Sequence, residues 1–262
     1  MASTDETLWA HINTALVFYN YIYGSRNYER LILSRAKALG VDLDEVLASA
    51  LPKLVIALHD IGKAYEPFQS NVRKVGTAQL HEQVSAYVTG NVLFIDEKIK
   101  EAVLTSIILH HSPMRGGSIA VPKGDLEKVG LRYSGGQGSV FKSFRLLAWE
   151  ELEEMLEFLG REYGFSEYLL INKLPVDVSI RDISEEAKRL YEVLITRSIG
   201  PEIYMFSLLL LHPLIVCDNY SANINRSSSR RLPVRFLVDL PLPKETSVIA
   251  RAILRLTVNR NT

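Results

Sequence analysis

The sequence is poor in cysteine, since Cys217 is the only one among its 262 residues. A single thiol excludes an internal disulfide framework and any zinc site built on several thiolates. The first residues also lack the basic segment and the apolar core of a secretory signal peptide. Both absences predict a reducing, cytoplasmic setting.

The sequence also lacks a charge excess and a long apolar run. Lysine plus arginine and aspartate plus glutamate each number 30, so the whole-chain charge does not indicate a nucleic-acid partner. Any bound phosphate would need a local basic patch or a metal. The longest apolar stretch, residues 203–217, is interrupted by His212 and Pro213 and is shorter than the roughly 18 residues of a membrane span. We interpret it as a buried helix in which His212 is structural, and we expect no membrane partner.

Most of the chain carries the apolar periodicity and the end signals of α-helices. A capping-box pattern at Ser3–Glu6 and a stop at Gly24 predict the first helix. Pro52 suits the first turn of the fourth helix, and Pro213 is expected to kink or restart the last one. The remaining signals predict helices at residues 27–38, 42–50, 51–61, 79–94, 97–111, 141–159, 182–196 and 201–223.

Two segments do not fit this helical pattern. Residues 114–139 are rich in glycine and proline and follow a histidine pair, which favours a lid or a guide for a substrate strand. Residues 231–262 are β-rich, and we interpret them as a C-terminal extension, either a small hairpin or a docking segment. The expected fold is therefore an all-α bundle formed by residues 1–230, with a small β-rich appendage.

Five of the six histidines stand in apolar, helix-like segments, and two aspartates accompany them. Burying an imidazole or a carboxylate without a partner costs several kcal/mol, and a shared divalent metal would satisfy many such groups at once. Seven ligands are too many for one four-coordinate zinc but suit two adjacent ions, with Asp60 as the natural bridge. The set comprises His11, His59, Asp60, His81, His110, His111 and Asp218.

Paired ions of this kind can hold a phosphodiester and activate a water, so the implied reaction is hydrolysis of a phosphate ester. Imidazole ligands favour transition metals over magnesium. We therefore expect one or two divalent ions, with Mn²⁺, Ni²⁺ or Co²⁺ binding best and Mg²⁺ in excess still supporting turnover. Lys63, one turn beyond His59, can offset the phosphate charge, although a helix-end cation is an equally good interpretation.

Some of the candidate residues could instead have a purely structural role. His11 could be a hydrogen-bonded core histidine, and Asp218 could pair with a nearby base such as Arg226. A second set of candidates could contact a nucleic-acid backbone, although solvated charges explain any one of them equally well. These candidates are Arg115, Arg226, Arg230 and Arg231.

The order of the seven residues, including the block His59-Asp60-Ile61-Gly62-Lys63, resembles the HD metal-dependent phosphohydrolase superfamily. Within it, the adjacent His110 and His111 resemble the stand-alone CRISPR-associated HD nuclease of type I interference systems. The resemblance covers residues 8–225 and implies an HD-domain helical bundle. It implies one ion held by His11, His59, Asp60 and Asp218, and a second held by Asp60, His81, His110 and His111, with catalytic roles for His59, Asp60 and Lys63.

The resemblance further implies a nuclease of CRISPR antiviral defence that cleaves DNA, with RNA as a further substrate left open. Its partners would be a helicase and an RNA-guided surveillance complex. The sequence has no phosphate-binding loop with Gly-Lys-Thr, so we expect unwinding to come from a separate chain. Two alternatives stay open: an HD phosphohydrolase acting on a nucleotide or cyclic nucleotide, and a non-catalytic scaffold.

Overall fold

The computed structural model describes residues 6–66, 68–70, 80–111, 143–196 and 201–225. The fold is mostly helical, which confirms the predicted class. Its helices are α1 Leu8–Ile22, α2 Tyr28–Ala38, α3 Glu45–Leu58, α4 His81–Val92, α5 Glu97–Leu109, α6 Trp149–Tyr163, α7 Ile180–Thr196 and α8 Pro201–Asn225. A short 3-10 helix, Ile61–Ala64, follows α3 directly.

Helix α8 lies in the middle of the bundle, packed against α1, α3 and α5. Phe18 of α1 stacks on Tyr220 of α8 with ring centroids 5.3 Å apart, and Cys217 is fully buried. Among the described residues, α8 is the one helix whose length and composition would suit a membrane span, and half of its apolar stretch is buried inside the fold. These contacts are those of a core helix, as the sequence predicts.

Two prolines lie inside helices, and the separate helix predicted to start near Pro52 is wrong. Pro52 lies in the middle of the single helix α3, not in the first turn of a separate helix. Pro213 lies inside α8, which continues through it. Proline removes the N–H that would bond the carbonyl four residues earlier, and in α8 this carbonyl, that of Leu209, accepts a 3.0 Å hydrogen bond from the Tyr28 hydroxyl instead. A tertiary contact therefore supplies the donor that Pro213 lacks.

A small antiparallel sheet joins β1 Tyr65–Glu66, β2 Ser143–Leu146 and β3 Asp177–Ser179, in that order. Strand β2 corrects the helix predicted from residue 141, because its side chains alternate between exposed and buried and Phe144 pairs with Val178. Helix α6 begins only at Trp149 and continues to Tyr163. The predicted loop 114–139 and the β-rich tail 231–262 lie outside the described residues, and the domain division at residue 230 stays a prediction.

Candidate metal centre

The seven predicted ligands come together from five helices, and most of them lie at helix ends. His11 is in the first turn of α1, and His81 is the first residue of α4. His59 follows the last residue of α3, and His110 follows the last residue of α5. Asp60 and His111 come directly after these two histidines, and Asp218 is contributed by the second half of α8.

The first group consists of His11, His59, Asp60 and Asp218, whose nearest ligand atoms all lie within 4.8 Å of one another. His11 Nε2 lies 2.9 Å from Asp218 Oδ1 and 3.3 Å from Asp60 Oδ2. His59 Nε2 lies 3.5 Å from Asp60 Oδ2 and 3.7 Å from Asp218 Oδ1. Two imidazole nitrogens and two carboxylate oxygens thus face one point.

The second group consists of Asp60, His81, His110 and His111, again within 4.8 Å of one another. His81 Nε2 lies 2.7 Å from Asp60 Oδ1 and 3.2 Å from His111 Nε2. The two Asp60 oxygens therefore face different groups, Oδ2 the first and Oδ1 the second. This geometry is what a bridging carboxylate requires.

The buried nitrogens of the cluster fit a metal better than they fit a hydrogen-bond network. Within the described residues, Nε2 of His11, His59 and His110 is buried and has no hydrogen-bond partner. Leaving such an atom unsatisfied costs about 1–3 kcal/mol. Several orphaned nitrogens aimed at carboxylate oxygens are satisfied together when a divalent cation lies among them.

The surroundings shift the pKa values of His110 and His11 in opposite directions. Burial, together with the neighbouring imidazoles of His59 and His81, lowers the pKa of His110 to about 3, so this ring is neutral at physiological pH. Burial also acts to lower the pKa of His11, but the Asp218 carboxylate, 2.9 Å from Nε2, and the hydrogen bond to Glu6 outweigh it and raise that pKa to about 9. His110 is therefore ready to act as a ligand, whereas His11 must release a proton first.

The carboxyl groups stay ionised despite their burial. Burial acts to raise the pKa of Asp60, but His59, Lys63 and His81 hold it well below its usual range. Burial acts in the same direction on Asp218, but the close imidazoles of His11 and His59 hold its pKa well below the ordinary value. Both groups are thus anionic ligands at neutral pH.

Lys63 lies in the 3-10 helix after α3, and its Nζ is 2.5 Å from Asp60 Oδ2. Its side chain is 9% exposed, and that of Asp218 is 14% exposed, whereas the rings of His11 and His59 are fully buried. The cluster therefore opens to solvent where Lys63, Asp218 and the partly exposed His111 lie. The ammonium contacts the Asp60 carboxylate and does not act as a simple helix-end cation.

Other predicted residues lie elsewhere. His212 is outside the cluster, and its Nδ1 is 3.1 Å from the Tyr23 hydroxyl, in keeping with a structural role. The basic substrate-binding candidates Arg115, Arg226, Arg230 and Arg231 lie outside the described residues. The predicted capping box is also displaced: Thr7 is the N-cap of α1, with its side chain accepting from Ala10 N, so His11 lies in the first turn of this helix.

Sequence reasoning missed the residues that support the ligands. Glu6 Oε1 lies 2.8 Å from His11 Nδ1, and the Gly62 amide donates a 2.9 Å hydrogen bond to Ser85 Oγ. Leu80, directly before His81, has a φ of 67°, a conformation that costs a non-glycine residue about 1–2 kcal/mol. Each of these residues lies within five positions of a candidate ligand in the sequence. No sequence pattern distinguishes them from other residues near a helix end.

A helical bundle that brings an adjacent histidine and aspartate together with histidines of other helices is the arrangement of the HD fold. No protein-family model matches the sequence. The chain is 28% identical over 241 residues to the CRISPR-associated endonuclease Cas3-HD of Pyrococcus furiosus, covering 87% of this chain and 93% of that protein. It is 30% identical over 125 residues to the Cas3-HD endonuclease of Methanocaldococcus jannaschii, covering 45% and 50% of the two chains.

A solved structure shows the same fold. The chain resembles the CRISPR-associated Cas3 HD domain protein from Methanocaldococcus jannaschii with a TM-score of 0.54 and 21% sequence identity, over 82% of this chain and 98% of that one. The resemblance to the stand-alone CRISPR-associated HD nucleases is thereby confirmed, in sequence and in fold.

Proposed function

We propose that this chain is a metal-dependent nuclease that hydrolyses phosphodiester bonds of DNA, and of RNA as a further substrate, in CRISPR defence. The observation that carries the proposal is the convergence of two four-residue groups on the two oxygens of Asp60. The names of the relatives, which are endonucleases, support a polymeric substrate. Nothing comparable in the described residues favours a nucleotide or a cyclic nucleotide.

The nitrogen-rich ligand set favours Mn²⁺, Ni²⁺ or Co²⁺, with Mg²⁺ as a weaker substitute. A pair of such ions would supply a water activated at neutral pH and would neutralise charge on the phosphate. In this proposal, His11, His59 and Asp218 hold one ion and His81, His110 and His111 hold the other. Asp60 sets the spacing between them, because each of its oxygens faces one group.

The remaining steps depend on the chain's own groups. The neutral ring of His110 donates a lone pair without first losing a proton. The ammonium of Lys63 lies on the open side of the cluster, 2.5 Å from Asp60 Oδ2, where it can contact a non-bridging phosphate oxygen and favour the more negative transition state. Burial of four of the imidazoles keeps bulk water away from the rest of the cluster; they are those of His11, His59, His81 and His110.

We propose that the nuclease works in the cytoplasm with a separate helicase and an RNA-guided surveillance complex. The CRISPR association of the relatives supports this setting. The helicase would supply the single strands that a recessed cluster can accept, and the surveillance complex would supply the target.

The test is a cleavage assay on protein that has been stripped of metal and then loaded with Mn²⁺. Matched single-stranded and double-stranded DNA, matched RNA and a panel of nucleotides and cyclic nucleotides are compared. Polymer cleavage is expected, and Asp60→Asn should lower it by roughly 10³-fold, since a metal centre contributes several kcal/mol to the transition state. Glu202→Gln, a comparable change at an exposed residue of α8, should leave it unchanged.

Two outcomes would reject the proposal. Turnover of a nucleotide without cleavage of any polymer would indicate the alternative phosphohydrolase. A folded protein that binds no metal above background would indicate a scaffold.

A further inference from the structure

His11, His59 and His110 share one orientation, with Nδ1 turned away from the cluster and Nε2 turned into it. Nδ1 of His59 lies 2.8 Å from the carbonyl oxygen of Ile56, and Nδ1 of His110 lies 2.5 Å from that of Ile107. These acceptors are carbonyls of the last helical turn, where the regular bonds from the amide four residues later come to an end, and that of Ile107 also accepts from the His110 amide. Each one holds the proton on Nδ1 and leaves the Nε2 lone pair for a ligand.

His11 is held differently, because its acceptor is a carboxylate. It lies at the start of α1, where no carbonyl of a preceding turn is available. Glu6 fills this place: its Oε1 lies 2.8 Å from His11 Nδ1, closer than Ser221 Oγ at 3.2 Å, and the side chains of Glu6 and His11 are fully buried. A carboxylate is the stronger acceptor, and a carboxylate behind a metal-binding histidine makes the ring a better donor.

Glu6 is itself fixed by the far end of α8. Asn225 Nδ2 donates a 2.7 Å hydrogen bond to Glu6 Oε1. One turn earlier on the same helix, Ser221 Oγ donates a 2.7 Å hydrogen bond to the carbonyl oxygen of His11. Helix α8 also carries Asp218, so the element that supplies one ligand also fixes the position of another.

We propose that Glu6, held by Asn225, is a positioning residue for the ion bound by His11, His59, Asp60 and Asp218. It fixes the His11 proton on Nδ1, aims Nε2 at the ion and strengthens that nitrogen as a donor. The inference rests on the proposed metal centre. It concerns the first group of ligands, because in the second group the Glu82 carboxylate lies 3.8 Å from His81 Nδ1, beyond hydrogen-bond distance.

A purely structural role is the competing explanation. Glu6, His11 and Asn225 connect the beginning of α1 to the end of α8, and this link would stabilise the bundle even if no ion were bound. The two explanations differ in what they predict for the folded protein. A structural link affects unfolding, whereas a positioning residue affects the affinity and the ligand field of one ion.

The experiment measures Mn²⁺ binding by calorimetry in wild type, Glu6→Gln, Glu6→Ala and Asn225→Ala, each shown to be folded by circular dichroism. His11→Ala identifies which binding step belongs to the first group. The Mn²⁺ affinity of that step should fall by about 10–100-fold in Glu6→Ala and by less in Glu6→Gln, which keeps a neutral acceptor. The other step should change little, and Glu202→Gln, at least about 24 Å along α8 from Asp218, should match wild type.

Co²⁺ provides a second measurement, because its visible absorption reports the ligands of the bound ion. The spectrum of the first ion should shift in Glu6→Gln, whereas a purely structural role would leave it unchanged. If Glu6→Ala does not fold, the isosteric Glu6→Gln and the more distant Asn225→Ala carry the test. Equal affinities and spectra in wild type and in the folded Glu6 variants would overturn the inference and leave the metal centre standing. A wild type that binds neither ion would overturn the proposed function as well.

Discussion

The Gly62 amide donates a 2.9 Å hydrogen bond to the hydroxyl of Ser85, so the turn that follows Asp60 lies directly against the start of α4. A Cβ at Gly62 would lie 2.5 Å from the carbonyl oxygen of His81 and 2.7 Å from the backbone nitrogen of Ser85. Neither backbone atom can move without moving α4. The glycine is therefore required by close packing between two ligand-bearing segments.

Gly62→Ala should destabilise the protein by about 1–3 kcal/mol, the range for overpacking a well-packed site. It should also weaken Mn²⁺ binding at the second group, because His81 would be displaced from Asp60. Urea unfolding and calorimetry measure the two effects. Gly90→Ala is the matched control within α4, since its Cβ would come no closer than 3.5 Å to Leu104; a loss of equal size there would contradict the packing argument.

Lys63→Met should change metal binding and catalysis in opposite directions. Its ammonium lies 2.5 Å from Asp60 Oδ2 and repels a cation at that oxygen, so its removal should tighten Mn²⁺ binding several-fold. Cleavage should fall by at least about 10-fold, since the phosphate loses a positive partner. Calorimetry and cleavage rates are compared with Lys173→Met at an exposed site, and a Lys63 variant with wild-type cleavage would remove Lys63 from the catalytic machinery.

Tyr28→Phe should reveal the contact that allows Pro213 to lie inside α8. The Leu209 carbonyl would lose its donor, at a cost of about 1–3 kcal/mol in the free energy of unfolding. In a Pro213→Ala background the backbone N–H at residue 213 can bond to that carbonyl, so the same change should cost less. A double-mutant cycle in urea measures the coupling, and Tyr204→Phe, at an exposed tyrosine of α8, is the control. Additive effects would mean that the two residues act independently.

Cys217 should resist thiol reagents in the folded protein. Its side chain is fully buried, and burial, with the nearby charge of Asp218, raises the pKa of the thiol well above its ordinary value. The thiolate is the reactive form, so raising the pH from about 7 to about 9 should speed labelling only in the denatured chain. Added Mn²⁺ should slow labelling further, because an ion that binds only the native state suppresses unfolding. Rapid labelling of the native protein at pH 7 would disagree with this burial.

Much of the helical frame was predictable because its signals are local. The helix predicted at residues 97–111 agrees closely with α5, since Asp96 accepts from Lys98 N and Ile99 N at its start. The predicted starts of α1 and α6 were wrong, since these helices begin at Leu8 and Trp149. The helix break predicted near Pro52 was also wrong. In each case the local signal was real, but packing elsewhere decided where the helix began or continued.

The amino-acid sequence by itself determined the helical class and the candidate ligands, because periodicity and residue chemistry depend only on neighbours along the chain. The tertiary structure alone decided that each Asp60 oxygen faces its own group of candidate ligands, that Glu6 and Asn225 support His11, and that Lys63 contacts the Asp60 carboxylate. Asn225 and Glu6 are separated by 219 positions, and no local pattern can encode a contact that exists only after α1 and α8 have packed together.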